Sequence, residues 1–128
     1  MTASRRLLGD RIEEAVARTL ARGGAGIVAR NVRTRAVRGE IDLIALDRGE
    51  LVFVEVKGRR TGAAIGPERP VLAVTAGKRR KLRALARAWL AENRARVPAN
   101  RGVRFDVVGV TVDRAGRVLD WEHLRGAF

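Results

Sequence analysis

Apolar residues recur at helical spacing from Ser4 to Ala21, where Leu8, Ile12, Ala15, Val16, Thr19 and Leu20 alternate with Arg and Glu. That period predicts an amphipathic helix with one face turned to a core. Gly23, Gly24 and Gly26 end it, and Ile27 to Arg33 then alternates apolar and polar residues as a short strand does. Glu40 to Leu46 and Leu51 to Val56 carry Ile, Leu, Val and Phe on both faces, the pattern of central strands covered on two sides. Asp47, Arg48, Gly49 and Glu50 make the turn between them. Gly58 weakens any continuation of the second strand, and the stretch from there to Val74, with Gly62, Gly66, Pro67 and Pro70, reads as a long loop of the kind that often carries function. Thr75 predicts the N-cap of a second helix reaching about Asn93, whose apolar stripe is Leu82, Leu85, Trp89 and Leu90. Trp89 is read as core. After the breakers Pro98, Asn100 and Gly102, Val103 to Val112 predicts a further strand, and Val118 to Trp121 an optional edge strand. The predicted fold is α/β, ordered α-β-β-β-α-β, with a mixed central sheet and flanking helices.

Composition changes the picture in three ways. A chain of 128 residues, 46% hydrophobic and 32% charged, suits a single globular domain over 1–128 that folds without a partner. The absence of cysteine excludes disulfides and thiolate metal sites, so any metal must sit on oxygen or imidazole. The excess of 27 Lys plus Arg over 14 Asp plus Glu, a formal +13, calls for a polyanionic partner. Nucleic acid is favoured over a membrane surface, because no basic helix carries a large exposed apolar face. Met1 to Asp10 lacks the apolar core of a signal peptide and no later run is long enough to span a bilayer, so the expected location is the cytoplasm.

Three charged residues stand out because they sit in strands that otherwise read as buried, where an ionised side chain without partners is costly. These are Asp42, Glu55 and Lys57. If the turn holds two or four residues, position 47 faces 50, Asp42 faces Glu55 and Glu40 faces Lys57; a three-residue loop would undo this parity. Two opposed carboxylates repel unless a cation lies between them, and a hard divalent ion, Mg²⁺ or Mn²⁺, suits oxygen ligands. Lys57, two residues after Glu55, shares its face and can place a positive charge beside a scissile phosphate. Metal, water and ammonium together describe phosphodiester hydrolysis. The competing reading of a lone Glu-x-Lys is an ordinary salt bridge at a strand end. Lysine is also scarce: among 27 basic residues only Lys57, Lys78 and Lys81 are lysines, so the lysine in the buried-looking strand, Lys57, suggests a need for a compact, adjustable point charge. Lys78, Arg79, Arg80 and Lys81 open the second helix, where their charge opposes the helix dipole and a bound phosphate would relieve the conflict. His123, the lone histidine, reads as a surface residue.

Gly9-x-x-x-Glu13, Arg30-Asn31, Gly39-Glu40-Ile41-Asp42-Leu43-Ile44, Val52-Phe53-Val54-Glu55-Val56-Lys57 with Arg59, Ala73-Val74-Thr75 before Lys78, Arg104-Phe105-Asp106-Val107-Val108 and Ala127-Phe128 resemble the bacterial YraN family of uncharacterised proteins over nearly the whole chain. That family is similar to archaeal Holliday-junction resolvases and other PD-(D/E)xK endonucleases. The resemblance implies a restriction-endonuclease-like core and a metal-dependent nuclease acting on DNA, in branched or single-stranded form. It implies that Asp42 and Glu55 ligate Mg²⁺ or Mn²⁺, that Lys57 orients or activates water, and that Glu13 adds a further acidic ligand from the first helix. Arg59, Lys78, Arg79, Arg80 and Lys81 are the candidate nucleic-acid contacts. Analogy with the resolvases also raises a homodimer. Ile41 replaces the nominal proline before Asp42, and the basic loop Thr34 to Arg38 is longer than usual. A noncatalytic nucleic-acid-binding protein on the same fold and a basic scaffold protein are the alternative functions.

Overall fold

The computed structural model describes residues 3–62 and 69–128, with side chains from Leu7 onward. In chain order its elements are α1 (Ala3–Arg22), β1 (Gly26–Arg33), β2 (Glu40–Asp47), β3 (Glu50–Arg60), a 3-10 turn at Pro70–Ala73, α2 (Ala76–Glu92), a second such turn at Arg94–Arg96, β4 (Val103–Val112) and β5 (Val118–Leu124). The strands form one sheet in the order β1-β2-β3-β4-β5, antiparallel throughout except for the parallel pair β3 and β4. A parallel pair needs a crossover, and α2 lies within it. The order α-β-β-β-α-β-β, with the optional last strand formed, is consistent with a restriction-endonuclease-like core. Among the described residues no helix is long and apolar enough to cross a membrane.

The two-residue period of β3 divides the core. Val52 and Val54 join Ile12, Val16 and Ala17 of α1 on one side, with Leu43, Val108 and Val110. Leu51 and Phe53 join Leu82, Leu85, Ala86 and Trp89 of α2 on the other, with Ile41 and Ile44. A strand buried on both faces must be apolar at every position, which is why Leu51 to Val54 reads as one unbroken run. Trp89 is core, 2% exposed, and meets Phe53 edge to face at 6.1 Å. Thr75 caps α2 as predicted, its hydroxyl accepting the Lys78 N–H at 3.2 Å.

Gly58 does not end β3, which runs on to Arg60 in register with Val112. The glycine serves close packing: a Cβ there would stand 2.5 Å from Ile12 Cδ1, so its absence lets α1 approach the strand beside Lys57. Pro70–Ala73, within the predicted loop, forms the 3-10 turn; Gly66 and Pro67 lie outside the described residues. Between β2 and β3, Asp47 pairs with Glu50, leaving Arg48 and Gly49 at φ values of 53° and 83°. Two positive φ angles match the twist of a tight antiparallel hairpin.

His123 is not a surface residue. β5 continues past Trp121 to Leu124, and the His123 side chain, 9% exposed, places Nε2 at 2.8 Å from Asp106 Oδ2. Asp106, 1% exposed, also accepts from Arg104 Nε at 2.8 Å and from the Gly126 N–H at 3.0 Å. Arg104 reaches on to Asp47 at 2.9 Å and Glu50 at 3.1 Å. Burial alone would raise the Asp106 pKa, but His123, Arg104 and Gly126 outweigh it and hold the carboxyl at about 2. This network ties the hairpin turn, β4 and the residues after β5 together at the end of β3 remote from Lys57.

Candidate active site

The β2–β3 ladder runs from Asp47–Glu50 to Leu43–Val54. Immediately beyond it, Asp42 Oδ2 accepts the Val56 N–H at 2.8 Å, so a side-chain oxygen serves a β3 donor past the last backbone pair. The two-residue turn gives the hairpin the predicted parity as far as Leu43–Val54, one step short of the expected facing of Asp42 and Glu55. Glu55 and Lys57 continue the face of Leu51 and Phe53 and so emerge toward α2. Their side chains are joined, Lys57 Nζ lying 3.1 Å from Glu55 Oε1 with 22% and 19% exposure.

Burial raises the Asp42 pKa from 3.8 to about 7, with the Glu55 charge next in importance and Glu13 adding to it; the Val56 N–H and Lys57 oppose the rise. Burial would lower the Lys57 pKa, but Glu55, a hydrogen bond with Lys78 and Asp42 together raise it. Lys78 is shifted the other way, chiefly by its hydrogen bond with Lys57 and by that residue's charge. Sequence spacing gave no sign that these two lysines meet.

A cavity of about 170 Å³ opens here, lined by Glu40, Glu55, Lys57, Lys78 and Lys81 together with Gly39, Leu82 and Leu85. All three lysines of the chain therefore converge on one space, from β3 and from the first turns of α2. Arg79 turns aside, its guanidinium 5.5 Å from the Phe128 ring centre, and neither it nor Arg80 lines the cavity. Arg59 lies farther along β3, paired with Thr111, and is not part of the lining.

Glu13 reaches the edge of this centre by way of Asn31. With its amide nitrogen toward the carboxylates, Asn31 donates to Glu13 Oε2 at 2.6 Å and to Glu40 Oε1 at 3.0 Å. Asn31 holds a φ of 50°, a conformation Asn tolerates better than most residues. Burial, then Glu40 and Asp10, raise the Glu13 pKa. The basic loop is also fixed: Glu92 at the end of α2 accepts the Arg35 and Ala36 N–H groups at 2.8 and 3.2 Å.

Among the described residues no three carboxylate or imidazole side chains converge as a ready-made metal cage. The donor chemistry nevertheless fits a hard divalent cation. Asp42 and Glu55 are oxygen donors, the Asp42 pKa being raised to about 7 first by burial and next by the Glu55 charge, and Mg²⁺ sites commonly use one or two carboxylates with substrate phosphate supplying the rest.

The model of the uncharacterised protein family UPF0102 matches residues 12–110. The chain belongs to this family. A UPF0102 protein of Streptomyces griseus is 46% identical over 96% of this chain and 97% of its own length. One from Pelotomaculum thermopropionicum is 41% identical over the whole of both chains, and one from Symbiobacterium thermophilum is 49% identical over 88% and 89%. The matched segment of this UPF0102 chain spans Glu13, Asp42, Glu55, Lys57, Lys78 and Lys81.

Proposed function

We propose that this UPF0102 member is an endonuclease-like hydrolase of nucleic-acid phosphodiester bonds that works with Mg²⁺ or Mn²⁺, with DNA as its substrate in branched or single-stranded form. The observation that carries this reading is the Lys57–Glu55 pair in a cavity with two further lysines, next to Asp42, whose carboxylate takes the Val56 N–H where the β2–β3 ladder stops. Asp42 and Glu55 are the residues that would hold the divalent ion, which when bound supplies Lewis acidity toward a phosphoryl oxygen and acidifies an attacking water.

The chain's own groups divide the remaining work. Lys57 holds its proton more firmly than a free lysine does, so it acts as a fixed cation that orients the phosphate and stabilises charge developing in the transition state. Asp42, with a pKa of about 7, carries full charge at neutral pH once positive charge is placed beside it. Glu13, linked through Asn31 to Glu40, adds negative charge at the periphery.

The Lys57–Glu55 ion pair gives Glu55 a cationic partner without any metal, which favours a second reading, a noncatalytic nucleic-acid-binding protein. Linear duplex, single-stranded and four-way-junction DNA incubated with and without Mg²⁺ or Mn²⁺ separate the two. The nuclease reading expects metal-dependent cleavage that Asp42→Asn abolishes. Salt-sensitive binding with no cleavage of any substrate under any of these conditions would leave the binding reading in its place.

A further inference from the structure

We infer that Lys78 and Lys81 complete, with Lys57, a clamp for a single internal phosphodiester, so that the cavity recognises a continuous sugar-phosphate backbone rather than a free or terminal phosphate. The inference rests on the nucleic-acid reading above but assigns a role to residues outside the Asp42, Glu55 and Lys57 centre.

The argument begins with charge that the fold leaves uncompensated. Three lysines and two glutamates line the cavity, a surplus of one positive charge, which is the charge of one phosphodiester. A terminal phosphate carries nearly twice that near neutrality. Lys57, Lys78 and Lys81 face one cavity although all three are cations, and no carboxylate forms a salt bridge with Lys78 or Lys81 among the described residues. The first turn of α2 holds no acidic residue, so the positive end of the helix adds to the same field. An anion shared between Lys57 and Lys78 would turn this repulsion into two charge-assisted hydrogen bonds. The helix is held in place independently: Arg79 and Arg83 lie 5.5 and 5.4 Å from the Phe128 ring centre, and Phe128 stacks on Phe105 at 5.2 Å.

The probes are a thymidine dinucleotide with one phosphodiester, its uncharged methylphosphonate counterpart, and inorganic phosphate, each titrated into the metal-free full chain and followed by backbone amide shifts at Gly39, Lys57 and Gly77 to Leu82. The clamp predicts that the dinucleotide binds at least about tenfold more tightly than the methylphosphonate, and that Lys78→Ala and Lys81→Ala each weaken it about five- to tenfold, a discounted value for charge-assisted bonds at exposed lysines. Lys78→Arg should stay within about twofold, and Arg96→Ala, on the turn after α2, should match the parent. Both lysines are exposed and alanine favours helix, so the fold tolerates these changes. Equal binding of the dinucleotide and its methylphosphonate, equal binding by parent and Lys78→Ala, or inorganic phosphate binding as tightly as the dinucleotide would each overturn the clamp. Dinucleotide binding by a parent that cleaves no DNA would refute the nuclease reading alone, whereas cleavage by a parent whose dinucleotide affinity ignores Lys78 would refute the clamp alone.

Discussion

Asp42 makes the candidate site costly to the metal-free protein, and that cost is measurable through pH. Its pKa in the fold is about 7 against an ordinary 3.8. The folded state therefore keeps the proton over a range in which the unfolded chain has already released it. Because the folded value is the higher one, stability falls as pH rises from 3.8 toward 7 and levels off above that. The full difference corresponds to about 4 kcal/mol, and relaxation of a partly exposed carboxyl reduces the expected effect to roughly 2–3 kcal/mol. Asn at this position mimics the protonated acid: its carbonyl oxygen can still accept the Val56 N–H, and it adds no charge beside Glu55.

Asp42→Asn should thus stabilise at pH 5 by a little over a third of the full amount, because the unfolded chain has already released its proton there while the fold keeps it, and by the full amount at pH 8. For a domain of this size roughly 3–5 °C accompanies each kcal/mol, so the variant should melt about 6–15 °C above the parent at pH 8 and only about 2–6 °C above it at pH 5. Thermal melts in EDTA at the two pH values decide the matter, with urea titrations to confirm that the slope is unchanged. Adding Mn²⁺ at pH 8 should raise the parent's melting temperature and leave the variant's unmoved. A variant shift of equal size at both pH values would refute the argument, since it would have nothing to do with ionisation.

Lys57→Ala should lower DNA cleavage by about 10²–10³ while the salt dependence of DNA binding changes by at most about one phosphate contact, as read from single-turnover rates and salt titrations. Gly58→Ala should destabilise by roughly 1–2 kcal/mol through its contact with Ile12 Cδ1; Ile12→Val, which lacks that atom, should make the pair less destabilising than the two separate changes predict, and additive urea midpoints would show that the close approach is unimportant. Asp106→Ala leaves Arg104 and His123 without their shared carboxylate and should cost about 3–5 kcal/mol in urea. In the parent the same carboxylate, depressed to about 2, contributes stability that is present above pH 3.8 and lost as pH falls through 2, so an acid titration of the parent should show a loss in that window that Asp106→Asn lacks.

The sequence by itself determined the elements and singled out the residues of the candidate site, because both rest on short-range regularities. A run apolar at every position can only be a strand covered on two sides, so Leu51 to Val54 announced the middle of the sheet, and helical spacing announced Leu82, Leu85 and Trp89 as one buried stripe. Asp42, Glu55 and Lys57 were legible because charges interrupt that pattern, and the parity of a short turn decides which of them share a face. Tertiary structure decided what depends on residues far apart in the chain. Gly58 reads locally as a strand breaker, yet it is the place where α1 packs against β3, and only the position of Ile12 reveals that. His123 looked like surface until β4 set Asp106 beside it, and the pairing of Asn31 with Glu13 and Glu40 required α1, β1 and β2 to meet. The convergence of Lys57 with Lys78 and Lys81 is of the same kind: it arises because the crossover from β3 to β4 returns α2 over the end of the strand, and no local pattern encodes how a crossover lands.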